Sequence, residues 1–204
     1  FPIAEERILI DPQPLPDEWP RIAGIDFGWD HPTACVWAAW DREEDIVYIY
    51  DCYRQAKAPP SVHADAMRRR PGFIPVVWPH DGHRRDSMGN PGLAEQYRSL
   101  GVNMMPFHFE TPPALGEKKG GNSVETGIMD LLQRMEDGRL KVFSTLGDWQ
   151  EEFRMYHRKE GKIVAIRDDL MSATRYALMS TRYAVSSKDP TWTKEIEYSH
   201  YGIV

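Results

Sequence analysis

The 204 residues, 41% hydrophobic and 27% charged, suffice for one domain with a sizeable core, and no apolar run among them is long enough to span a bilayer. A formal net charge of −6 argues against a protein that coats nucleic acid nonspecifically, although local basic patches can still hold phosphates. The two cysteines, Cys35 and Cys52, are too few for a disulfide framework and form no zinc spacing with histidine, so a reducing compartment is the default.

The N-terminus, Phe1 to Glu6, lacks the basic-then-apolar pattern of a signal peptide, and with no initiator Met the chain is expected to be a piece of a longer one. Residues 1–20 carry five prolines and no sustained period and are expected to form a linker or strap. Three strands follow: Ile22 to Phe27; Thr33 to Trp40, after the Asp30-His31-Pro32 turn; and Ile46 to Tyr53, after the polar turn Asp41 to Asp45. They predict an antiparallel meander. A helix capped by Ser61 runs to about Arg70, with Arg68-Arg69-Arg70 as a solvated end. Phe73 to Trp78 reads as a buried strand parallel to the first, because a helical crossover precedes it. A helix over 91–100 (Leu93, Tyr97, Leu100) and a strand from Val102 to Phe109 come next. Beyond the Gly/Pro/Lys loop 110–121, Asn122 caps a helix with the apolar stripe Val124, Ile128, Leu131 and Met135. Leu140 to Phe143 is a strand, and Leu146, Trp149, Phe153 and Tyr156 mark a helix. Residues 157–166 suggest a polar hairpin, and a last helix spans about 168–183. The tail 186–204 has no period and is expected to be flexible.

Three acidic features stand out in combination. Asp26 ends an apolar strand, Asp81 follows another, and Asp168-Asp169 open a helix. If the first and fourth strands are parallel neighbours, Asp26 and Asp81 leave the sheet at the same edge, where open α/β sheets bind ligands. A helix N-terminus favours a carboxylate and can aim it at the same point. Converging carboxylates repel one another unless divalent cations join them, and all-oxygen ligands select Mg2+ or Mn2+. Each residue also has a bland reading: Asp81-Gly82 as a turn, Asp168 or Asp169 as an N-cap, His31 as a turn residue rather than a partner of the site. Gly116 to Ser123 has the glycines of a phosphate-binding loop but places Asn122 where the lysine is needed.

The stretches Gly24 to Ala34, Val77 to Gly82 and Arg167 to Ala177, in that order, resemble the acidic motifs of the C-terminal nuclease domain of the tailed-phage terminase large subunit. The resemblance covers roughly residues 20–184 and implies a ribonuclease H-like α/β fold, in which parallel strands extend the antiparallel three-strand meander and helices flank the mixed sheet. It implies a metal-dependent endonuclease that cuts concatemeric viral double-stranded DNA during genome packaging, using Mg2+ or Mn2+, with two ions expected. Carried over, Asp26, Asp81 and Asp169 become catalytic metal ligands; many relatives have Asp at the position of Ser172, which leaves Asp168 as an alternative third ligand. His83, Arg84, Arg85, Lys118 and Lys119 become candidate DNA contacts. Residues 1–20 would then link to a preceding ATPase domain, 21–185 form the nuclease, and 186–204 the tail. The small terminase subunit and the portal protein are the implied partners, no membrane is involved, and the host cell cytoplasm is the implied location. Two alternatives remain at this point: an actin-like nucleotide-binding domain, which also opens on a Gly-x-Asp-x-Gly turn, and a non-enzymatic module docking on portal or capsid.

Overall fold

The chain folds, in a computed structural model describing residues 1–83, 91–110, 124–159, 162–163 and 167–188, around a six-stranded mixed sheet. In chain order its elements are β1 (Leu9–Ile10), β2 (Arg21–Asp26), β3 (Thr33–Asp41), β4 (Ile46–Gln55), α1 (Pro60–Met67), β5 (Val76–Val77), α2 (Leu93–Ser99), α3 (Val124–Glu136), β6 (Leu140–Phe143), α4 (Gly147–Met155), β7 (Arg158–Lys159), β8 (Lys162–Ile163) and α5 (Asp169–Leu178). The sheet order is β1-β6-β4-β3-β2-β5, with β7 and β8 forming a separate hairpin. β2, β3 and β4 make the expected antiparallel meander. β5 extends it in parallel beside β2, Ala23 opposite Val76, and β6 extends it in parallel beside β4, Val47 opposite Leu140.

Helices cover both faces. Ile22, Ala34, Val36 and Ala38 point to α3, α4 and α5, meeting Leu131, Trp149, Leu170 and Ala173. Ala23, Ile25, Cys35 and Trp37 point the other way, to Ala64 of α1 and Tyr97 of α2. This two-sided burial is why β2 and β3 read as almost unbroken apolar runs. Each fully buried Val, Ile or Leu contributes about 1.5–3 kcal/mol.

α5 is the central helix, with every residue but Ser172 buried. It lies directly on β2 because residue 24 is glycine: a Cβ there would stand 2.1 Å from the Ala173 carbonyl oxygen and 2.8 Å from the Ala177 nitrogen. α4 is tied to α5 by a buried hydrogen bond from Trp149 Nε1 to Thr174 Oγ1 (2.9 Å).

Several elements differ from expectation for identifiable reasons. The first residues are not only a strap: Ile8 is fully buried and β1 pairs in parallel with β6. α1 starts at Pro60 rather than after Ser61, without a side-chain cap; proline suits a first helical position, whose N–H is unpaired anyway. Pro75 and Pro79 confine β5 to two residues, and Pro106, with no N–H to give, reduces the expected strand at 102–109 to a bridge between Met104 and Val76. Arg70 is not solvated but forks onto Asp51 (2.7 and 3.1 Å) over the Trp37 ring. α5 ends at Leu178, and a 3-10 turn covers Thr181–Tyr183. The Asn122 cap, the loop 111–121 and the tail beyond Lys188 lie outside the described residues. Among the described residues no helix is long and apolar enough to cross a membrane.

Candidate active site

Three elements bring four carboxyl groups to one edge of the sheet. Asp26 is the last residue of β2. Asp81 lies in the 3-10 turn His80–His83 that follows the parallel neighbour β5. Asp169 is the first residue of α5 and Asp168 precedes it. The chain enters α5 through Arg167 in the left-handed region (φ 52°), its guanidinium held by Glu151 at 2.7 Å. A left-handed non-glycine residue at the lip of a site is a local cost that the surrounding structure sustains.

The acids act on one another. Burial, and then the charges of Asp169, Asp81 and Asp168, push the Asp26 carboxyl up to about 8, with Arg175 partly opposing them. Asp168 is also raised, by burial and then by Asp169. Asp169 is only 5% exposed and hydrogen-bonds to Nδ1 of His31 at 3.0 Å. His31, read from sequence as a turn residue, therefore belongs to the site; no local signal announces it, because the contact exists only once β2 and α5 are neighbours.

Neither Asp168 nor Asp169 caps α5 as the bland reading supposed, since Asp168 makes no side-chain cap bond. The cap comes from α4. Glu152, fully buried, accepts the Leu170 N–H on Oε2 (2.6 Å) and Arg54 Nη1 on Oε1 (3.0 Å). Arg54 also reaches Asp148 (2.9 Å) and Glu151 (2.6 Å). Burial raises the Glu152 carboxyl, and its bonds to Arg54 and Leu170 work against that rise. Sequence reading missed Glu152, a charged residue at the margin of the apolar stripe of α4 that is buried beside Trp149 and Phe153.

Asp26, Asp81 and His80 line a cleft of about 250 Å3 with Phe109, Arg175 and Tyr176. His83 sits at the end of the Asp81 turn, against the Trp78 ring and 3.0 Å from His108 Nδ1. Arg84, Arg85, Lys118 and Lys119 lie outside the described residues. Among the described residues no three His, Cys, Asp or Glu side chains stand close enough, as placed, to hold an ion. The donor chemistry nonetheless fits a hard divalent cation: the neighbouring groups are carboxylate oxygens, and the charge of Arg175 does not outweigh burial and the other acids in holding Asp26 ionised.

A mixed sheet in this order, helices on both faces and acids at the ends of β2, β5 and the start of α5 define a ribonuclease H-like domain. The chain belongs to the terminase RNaseH-like domain family, whose profile matches residues 23–181. It is similar to the terminase large subunit of Salmonella phage P22, 40% identical over 196 residues, which cover 96% of this chain and 38% of that protein. It is also similar to the solved P22 large terminase nuclease domain, with 39% identity, a TM-score of 0.83, and 95% and 96% of the two chains covered. The nuclease domain of the SPP1 large terminase, solved with bound Mn, shares the fold at 17% identity, with a TM-score of 0.62 over 87% of this chain and 98% of that one. The actin-like alternative has no place in this family assignment. This chain spans well under half the length of the P22 large subunit.

Proposed function

We propose that this domain is the divalent-cation-dependent endonuclease of a terminase large subunit, cutting concatemeric viral double-stranded DNA during packaging in the host cell cytoplasm. The observation that carries the reading is the gathering of acids from three separate elements, with Asp26 buried among Asp81, Asp168 and Asp169, so that burial first and then their charges push its carboxyl to about 8. Isolated turn or cap residues would not be gathered in this way.

In this reading Asp26, Asp81 and Asp169 hold the cations, with Asp168 the alternative to Asp169. The His31 hydrogen bond favours Asp169, since an outer partner that fixes a carboxylate's orientation is a usual feature of metal ligands. A pair of Mg2+ or Mn2+ ions, when bound, supplies the Lewis acidity that activates water and neutralises charge on a phosphodiester. The protein's share is placement: β2 fixes Asp26, Glu152 fixes the first turn of α5 and with it Asp169, and the Asp81 turn closes the third side. His83, with Arg84, Arg85, Lys118 and Lys119, would meet the DNA backbone. An ATPase domain of the same full-length protein, the small terminase subunit and the portal protein complete the proposed assembly. Asp26→Ala should abolish Mn2+-dependent cleavage of plasmid DNA; retention of wild-type cleavage by that variant would refute the assignment.

A further inference from the structure

The acidic cleft has one cationic wall. Arg175, on α5, lines it together with Asp26 and Asp81, and is only 6% exposed. A buried guanidinium is costly without a counter-charge. Half-buried Arg54, Arg70, Arg134 and Arg139 each hold a carboxylate. Among the described residues, Arg175 has no carboxylate within ion-pair distance.

Arg175 is nevertheless held firmly. Its guanidinium lies 4.6 Å from the Tyr176 ring centre and 5.8 Å from that of Phe109. The Tyr176 hydroxyl is also hydrogen-bonded to the guanidinium, whose five N–H donors still leave others for further partners. Its stem crosses α3 at Gly127, where a Cβ would come within 2.5 Å of Arg175 Cδ. The glycine is what allows the arginine to pass, and the passage restricts where its head can go. A fixed guanidinium with in-plane donors, facing a cleft lined by two acids, matches an anion with several oxygens.

We propose that Arg175 binds a non-bridging oxygen of the scissile phosphodiester across the cleft from Asp26, a role that rests on and deepens the nuclease reading. The acids would gather the cations on one side of the phosphate, and Arg175 would offset charge on the other without a rearrangement.

The test uses Arg175→Met, which keeps the stem over Gly127 and removes the charge, and Arg175→Lys, which restores charge without the fork. Cleavage of plasmid DNA with Mn2+ should fall about 10²–10³-fold in Arg175→Met, chiefly in kcat, with partial recovery in Arg175→Lys. The salt slope of binding to a short duplex should fall by about one in Arg175→Met. The Mn2+-induced rise in melting temperature should persist in both variants. Cleavage within threefold of wild type, an unchanged salt slope, or loss of the Mn2+-induced rise in both variants would overturn the proposal, the last by showing that Arg175 serves the acids rather than the phosphate. If wild-type protein cleaves nothing, the nuclease reading fails separately, and the salt slopes still decide the phosphate contact.

Discussion

Replacing Gly24 by alanine tests whether the contact between β2 and α5 holds the site together. Alanine in a strand is ordinarily better than glycine by roughly 0.5–1 kcal/mol, so without a tertiary conflict the change would stabilise the domain. Here the new Cβ would lie 2.1 Å from the Ala173 carbonyl oxygen. A carbon and a carbonyl oxygen meet at about 3.3 Å, so α5 must retreat by roughly 1 Å. The obstacle is backbone and cannot turn aside as a side chain would. Overpacking of this kind costs about 1–3 kcal/mol, a fall in melting temperature of roughly 2–12 °C for a domain of this size. Asp169 rides on the same helix, and a misplacement of about 1 Å can cost on the order of 100-fold in rate. Differential scanning fluorimetry and a Mn2+-dependent plasmid assay read the two effects together. A Gly24→Ala protein that melts at or above the wild-type temperature and cleaves at the wild-type rate would refute the argument, because the sign of the stability change is set by the contact.

Two further outcomes follow from the acids. The Asp26 carboxyl lies near 8 in the fold against an ordinary 3.8, so between those values the folded state binds a proton that the unfolded state has released. With divalent cations chelated, stability should therefore decline as pH rises from about 4 to 8 and then level off. The expected loss is at most about 5 kcal/mol by urea titration, and Asp26→Asn should make that decline shallower. Glu152→Ala should destabilise by about 2–4 kcal/mol, since it strips the buried Leu170 N–H of its acceptor and leaves a void. Glu152→Gln, which keeps an acceptor oxygen, should lose less in the same urea titration.

The parts of this architecture that were legible in the sequence are those written in local patterns. β2 and β3 announce themselves because both their faces are buried, and Asp26 and Asp81 because one ends such a run and the other lies just past the apolar stretch around β5. The parts that were not legible depend on meetings between distant segments. Arg175 gains its place from Gly127 on another helix, His31 from Asp169, and Glu152 from an N-terminus that carries acids of its own. Prolines 75, 79 and 106 were visible, yet how far they shorten a ladder depends on which N–H groups the neighbouring strand needs.

β1 has a consequence of another kind. It is two residues long, yet it lies along the outer side of β6, with the Val142 and Ser144 N–H groups bonded to the carbonyls of Ile8 and Ile10 (both 2.8 Å). An uncovered sheet margin is a template for pairing with another molecule. β1 closes that margin and is itself too short, with Pro12 and Pro14 following it, to extend the sheet further. A fragment starting at Arg21 would retain all four acids yet leave the Leu140–Phe143 ladder bare, so solubility and homogeneity depend on residues remote from the chemistry.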